Sequence, residues 1–395
     1  MWERIAVFGF WVSRLAGLVL LKAVDYTEDK LIFGKTRFWR MFSVRHTRFG
    51  GEYVWINKIG LPMCKNARRN LGEEPDMVFD GHSDLLYDVT RHRMAGENRV
   101  LERRHLERMK RGGVEGLVLA LWTSAEPDTF WNRYPEMNSA AARTEQMMRC
   151  AEAEFAEADW LKVVRISEEA ELARENGKLY AFLGVEGMAA IGADLSGIDR
   201  YVEFGARIGM LTWNEENLLA TGAKGAPDNG LTALGRQAVR RMQEQGMIVD
   251  VSHLNDGGFW DIMKLTQGPV IASHSNCRRL CDVRRNLTDD QLRAIRDTGG
   301  IVGVNVHHAF VHADPEKQTA EMLARHAAHM ADVMGIEHVA CGFDFCEYFG
   351  PGNEGAKGLD DCSGIPNFIR ELEKIGMTAQ EKELVIRKNF LRILR

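Results

Sequence analysis

The chain has 395 residues, enough to bury a large core in one large domain or two smaller ones. Its apolar share of 45% and charged share of 27% are those of a soluble globular protein. A net charge of −5, with no basic stripe carrying interleaved aromatics, argues against nucleic-acid binding. The charge is uneven: residues 1–75 hold 13 Lys+Arg and 7 Asp+Glu, a balance of +6, which leaves −5 − 6 = −11 for the remainder. The seven cysteines, an odd number in a long chain, speak against a disulfide framework. Cys277 and Cys281 have no matching second pair, so a zinc-finger reading is poor and a reducing, cytoplasmic compartment is expected.

Residues 5–21 are mostly apolar but are interrupted by Arg14 and fall short of a ~20-residue membrane span. They read as an amphipathic or core-docked helix, with peripheral membrane contact and a signal peptide as alternatives. Residues 22–76 mix aromatic and basic side chains, as in Phe38-Trp39-Arg40-Met41-Phe42, and are broken by Gly50-Gly51. An appended segment of short helices or hairpins, residues 1–76, is expected ahead of a main domain at 77–395.

From residue 77 apolar runs alternate with polar stretches of helical period. Eight candidate strands fall at 77–80, 116–122, 179–185, 208–212, 247–252, 269–273, 300–306 and 338–344. Helices are expected at 98–111, about 142–176, 196–206, 232–245, 256–266, 288–298, 317–335, 364–375 and 378–393. Near-continuous apolar strands separated by helices indicate parallel pairing with both faces covered. The fold class is therefore α/β, a (β/α)8 TIM barrel with insertions; the strand ends and the resemblance below make it one of the metal-dependent hydrolase type. An open doubly wound sheet lacks support, because no glycine-rich phosphate loop follows any strand.

In such a barrel the chemistry sits at the C-terminal ends of the strands. The first strand runs through Met77-Val78-Phe79-Asp80 into Gly81, His82, Ser83 and Asp84. In extended chain His82 and Asp84 share a face and can grip one metal ion. A lone His-x-Asp is weak, but the third strand ends in Glu186, the fifth in Ser252-His253, the sixth in Ser273-His274 and the eighth in Asp344. Six ligand-type side chains at five strand ends point to a metal site. His82, Asp84, Glu186, His253 and His274 are too many for one open zinc, but suit two ions roughly 3.5–4 Å apart. Glu186 is the natural bridge, with His82 and Asp84 on one ion and His253 and His274 on the other. Water held between two dications loses a proton near neutral pH, so hydrolysis is the expected chemistry. Asp344 is left as the proton-transferring carboxylate, or else a further ligand or orienting group. Arg285, in the loop before the helix capped by Thr288, suits a substrate carboxylate; Arg284 is as well explained by pairing with Asp289 or Asp290.

These residues carry a resemblance. From about residue 77 onward the chain resembles the membrane (renal) dipeptidase family, zinc peptidase family M19, among the amidohydrolase-like barrels. The matching stretches are Asp80-Gly81-His82-Ser83-Asp84, Gly184-Val185-Glu186-Gly187, Gly246 to His253, Val270 to Ser275, Arg284-Arg285-Asn286-Leu287-Thr288, Gly342-Phe343-Asp344-Phe345, and a tail from Gly358 to Leu394. The resemblance implies a dinuclear zinc dipeptidase with a binuclear metal centre. It implies His82, Asp84, bridging Glu186, His253 and His274 as ligands, Glu186 and Asp344 as the catalytic carboxylates, and Arg285 as a substrate contact.

Two departures are visible. Where the family often has a substrate-contacting His after the fourth strand, this chain has Trp213, followed by Asn214. Both are expected to face substrate, but an indole cannot carry a proton. Where the family often has Asp-Phe-Asp-Gly, this chain reads Asp344-Phe345-Cys346-Glu347. His307 and His308 either line the pocket or are structural. The expected partner is a dipeptide, with a homodimer left open. The alternatives are a related dinuclear amidohydrolase acting on another amide or a lactone, such as an acyl-amino acid, and a barrel that has lost catalysis and only binds.

Overall fold

The computed structural model describes residues 45–49, 52–56 and 76–395, so the segment 5–21 lies outside the described residues. The chain divides into two units, Met1–Glu74 and Pro75–Arg395. In the first, β1 (Arg45–Phe49) and β2 (Glu52–Ile56) pair antiparallel.

The second unit is built on parallel strands: β3 (Val78–Ser83), β4 (Val114–Trp122), β5 (Leu161–Val163), β6 (Leu179–Glu186), β7 (Ala206–Met210), β8 (Ile248–Asp250), β9 (Val270–Ile271), β10 (Val302–Val304) and β11 (Val339–Cys341). The sheet runs β3-β4-β6-β7-β8-β9, with the short β5 beside the start of β6. β10 pairs with β11, and a parallel bridge from Ala272 to Val302 joins that pair to β9. The last seam closes where Phe343 N–H donates to Asp80 Oδ1 (2.8 Å) and Asp344 N–H donates to the His82 carbonyl (3.3 Å). Eight strands, with β5 as a flanking extra, thus complete a (β/α)8 barrel.

Alternation along the strands sorts the core into two shells. On β6, Ala181, Leu183 and Val185 pack outward against the helices, while Tyr180 and Phe182 point inward with Phe79, Val118, Ile208 and Ile271. Two-residue period then carries Glu186 inward at the mouth. The bottom is plugged by the last helix (Asn389–Ile393), whose Phe390 ring lies 5.2 Å from that of Phe79. Each such fully buried aromatic contributes roughly 1.5–3 kcal/mol. A Cβ at Gly81 would overlap the Phe390 ring, so only glycine lets the plug seat under the first strand.

Three differences from the expected elements have local causes. The helix expected over 142–176 is two, Ala140–Glu157 and Ser167–Glu175, split by β5. A helix at Leu85–Met94 follows β3 directly; its first six residues are all buried, so it carries no amphipathic period. The helix expected over 378–393 is interrupted by a π-turn at Leu384–Lys388.

Candidate metal centre

His82 and Asp84 reach the barrel mouth by different means. The pairing of β3 with β4 slips between Asp80 and Ser83, so one extra residue resets the alternation and turns His82 to the mouth. Asp84 is not extended: at φ −87°, ψ 20° it is the N-cap of the Leu85–Met94 helix, yet its carboxylate makes no capping bond. It faces the imidazole instead, with Oδ1 3.7 Å from His82 Nε2. The shared-face argument from extended chain therefore does not describe this pair; a strand-to-helix turn brings it together.

Glu186 sits between the two groups of histidines, as β6 lies between β3 and the β8–β9 edge. Its Oε2 is 3.2 Å from His82 Nε2, and its Oε1 is 2.7 Å from His253 Nε2 and 3.8 Å from His274 Nε2. The His82 and His274 rings stack with centroids 3.8 Å apart. Asn214 Oδ1 lies 2.9 Å from His253 Nδ1, and Ser273 Oγ lies 2.7 Å from His274 Nδ1. When each ring carries its proton on Nδ1, toward these oxygens, both Nε2 atoms are bare, and they face each other at 2.8 Å. Two lone pairs at that distance repel unless a cation lies against them.

The electrostatics agree. Burial pushes the Glu186 carboxyl well above its ordinary range, and the Asp84 and Asp344 carboxylates push it further. Burial disfavours charge on His82, but the Glu186 and Asp84 carboxylates outweigh it and raise its pKa. Burial and neighbouring positive charge hold His253 and His274 well below the usual imidazole value, in the neutral form a metal requires. Burial raises Asp344 to about 6. Asp84 Oδ1 is buried with no hydrogen-bond partner. Three imidazoles and a group of carboxylates, one with an orphaned oxygen, fit a borderline divalent cation such as zinc. Donor atoms of His82, Glu186 and His274, and of His82, Asp84 and Asp344, fall within 4.8 Å of one another.

The mouth is braced by two buried aspartates. Asp80 Oδ1 accepts from His82 N–H (3.3 Å) as well as Phe343 N–H, and Asp250 Oδ1 accepts from Ser252 N–H (2.9 Å) and Ser273 N–H (3.1 Å). Each ties two strand ends next to a histidine. His253 (φ +66°) and Asp344 (φ +59°) both hold left-handed backbone, a cost of order 1–3 kcal/mol that concentrates at functional positions.

Asp344 Oδ1 is 4.0 Å from His82 Nε2, and its Oδ2 accepts from Asn305 Nδ2–H at 2.9 Å. Cys346 Sγ, in the departed motif, donates to Asp344 Oδ1 at 3.3 Å. The Arg285 guanidinium is buried: its two terminal nitrogens donate to Ser275 Oγ (3.3 Å) and the His274 carbonyl (3.2 Å), while Nε has no partner. Arg284 is turned outward onto the Gly225 carbonyl (2.9 Å). Trp213 packs edge-to-face on Trp122 at 5.2 Å, with Lys224 Nζ 5.2 Å above its ring and the His253 ring 6.2 Å away. Asn214 is engaged with His253 rather than with open space. His307 stacks on His308 and Phe310. Asn305, Lys224 and Trp122 were not singled out from the sequence. A polar residue inside the apolar run Val304-Asn305-Val306 at the mouth was the available signal.

Barrel, mouth and donor set together define a metal-dependent hydrolase centre. The membrane dipeptidase family (peptidase family M19) matches residues 68–395, and the chain belongs to it. It is a metallo-dipeptidase whose substrates are dipeptides. Among solved structures, a metallo peptidase from Rhodobacter sphaeroides, liganded with a phosphinate mimic of the dipeptide L-Ala-D-Ala, is 27% identical. It superposes with a TM-score of 0.71 over 81% of this chain and 99% of that one. The dipeptidase AC metallo peptidase of family M19 is likewise 27% identical, with a TM-score of 0.71 over 81% of this chain and 98% of that one. An uncharacterized dipeptidase of Schizosaccharomyces pombe is 35% identical over 240 residues, which span 59% of this chain and 57% of the yeast protein.

Proposed function

We propose that the chain hydrolyses the peptide bond of free dipeptides with two zinc ions, held by His82, Asp84, His253 and His274 and bridged by Glu186. The observation that carries this reading is Glu186, whose two oxygens face different histidines: Oε2 faces His82, and Oε1 faces His253 and His274. When bound, the ions supply Lewis-acid polarisation and acidify water at neutral pH.

The chain's own residues do the rest. Asp344, buried and with Oδ2 held by Asn305, takes a proton from the attacking water at Oδ1, which only the weak Cys346 thiol donor meets, and returns it to the departing amine. Arg285 binds the substrate's C-terminal carboxylate through charge-assisted bonds from the N–H groups that Ser275 and the His274 carbonyl leave free. Trp213 packs the dipeptide's side chain and excludes water, in place of a residue able to carry a proton. The L-Ala-D-Ala mimic carried by the Rhodobacter sphaeroides relative supports including L,D-dipeptides among the substrates.

A panel of L,L- and L,D-dipeptides, their C-terminal amides and acyl-amino acids tests this. The expected result is turnover of free dipeptides, with amides and acyl-amino acids poor. Asp344→Asn should keep its metals and lose turnover; normal turnover in that variant would remove Asp344 from the role.

A further inference from the structure

We propose that Asn305 is a positioning residue for Asp344, fixing the plane of its carboxylate so that one oxygen stays directed at the reaction. The inference rests on the reading of Asp344 as the proton-transferring group. Asn305 is fully buried at the end of β10. Its Oδ1 accepts from His307 N–H at 2.7 Å, which fixes the orientation of the carboxamide. The Nδ2 end is then committed to Asp344 Oδ2 at 2.9 Å. The one other side-chain donor to this carboxylate among the described residues is the Cys346 thiol, which is a weak donor. Asn305 thus supplies the strong bond on Oδ2 and leaves Oδ1 on the His82 side.

The backbone of Asn305 is itself clamped. Asn276 Oδ1 accepts from Asn305 N–H (3.0 Å), and Asn276 Nδ2 donates to the Asn305 carbonyl (2.8 Å). Asn276 N–H in turn donates to Asn286 Oδ1 (3.2 Å), next to Arg285. Three buried asparagines therefore tie the arginine loop to the Asp344 strand end. An aspartate χ2 has broad, roughly two-fold freedom. Without the Asn305 bond the carboxylate can rotate inward and act as a further ligand, which removes it from proton transfer.

The test compares Asn305→Ala and Asn305→Asp with the parent, each with metal content measured. The Asp variant keeps the shape and the acceptor for His307 N–H but replaces the donor facing Asp344. The expected result is wild-type metal content, KM within about threefold, and kcat lower by about tenfold or more in both. On an Asp344→Asn background, Asn305→Ala should cost no further turnover, since there is no carboxylate left to position. Wild-type kcat in either metal-loaded Asn305 variant, multiplicative losses on the Asp344→Asn background, or failure of both variants to fold or hold metal would overturn the inference. If Asp344→Asn itself keeps normal turnover, the underlying role of Asp344 fails and the positioning with it. If Asp344→Asn is inactive while the Asn305 variants are not, only the positioning fails.

Discussion

The Asn214 carboxamide oxygen lies 2.9 Å from His253 Nδ1, on the side of the ring opposite the atom that faces Glu186. A hydrogen bond there fixes the tautomer and the ring angle, as partners of metal-binding histidines generally do. Asn214→Ala should therefore weaken metal affinity by about 10–100-fold, with KM at saturating metal unchanged. A metal-dependence curve of activity reads this directly. A raised KM with unchanged metal affinity would instead make Asn214 a substrate contact, the role its place in the sequence suggests.

Arg285 is buried, and its terminal nitrogens are engaged with Ser275 and the His274 carbonyl. Lysine retains the charge but loses the planar fork. Arg285→Lys should lower kcat/KM for free dipeptides by about 10–100-fold and leave C-terminal amides nearly unaffected, so that the preference between them collapses. Equal losses on both substrate types would indicate that the residue only braces the strand end.

His326 offers a pH test away from the metal centre. Its Nδ1 accepts from Cys277 N–H (3.0 Å), which requires the neutral ring, and its Nε2–H donates to the Val311 carbonyl (2.8 Å). Burial holds its pKa at about 4 in the folded chain, below the unfolded value near 6.5. Between those values the unfolded chain takes up a proton that the native chain does not, so stability falls as pH falls through that window. The loss should reach roughly 3 kcal/mol by pH 4. Denaturant unfolding at several pH values, compared with His326→Gln, should show this slope shrinking in the variant; an unchanged slope would contradict it.

Gly342 precedes Phe343 at the barrel seam, and a Cβ there would collide with the Ser273 carbonyl. Because the obstacle is backbone, Gly342→Ala should destabilise by roughly 1–3 kcal/mol or more, read as a lowered unfolding midpoint. An unchanged midpoint would mean that the ends of β9 and β11 can move apart across the mouth.

Much of this architecture was legible because the strands are apolar on both faces and their ends carry unmistakable chemistry: Glu186 follows Leu179–Val185, and His274 follows Val270–Ser273. What was hidden is instructive in physical terms. The strands at 247–252 and 338–344 pair only over Ile248–Asp250 and Val339–Cys341, because the chain leaves the ladder to present His253 and Asp344 in left-handed backbone. No periodicity signals that departure. The bulge that turns His82 inward and the uncapped Asp84 are likewise features of pairing and turning, not of composition. The contact of Asn214 with His253 was equally hidden, since a side chain that holds a histidine ring looks the same in sequence as one that meets substrate.

The most direct measurement strips the protein with a chelator and follows dipeptide hydrolysis while zinc is titrated back. The account predicts that stripping abolishes hydrolysis, that activity returns to a plateau at about two equivalents per chain, and that Glu186→Ala recovers none. Full activity in the stripped protein, or normal recovery in Glu186→Ala, would contradict it.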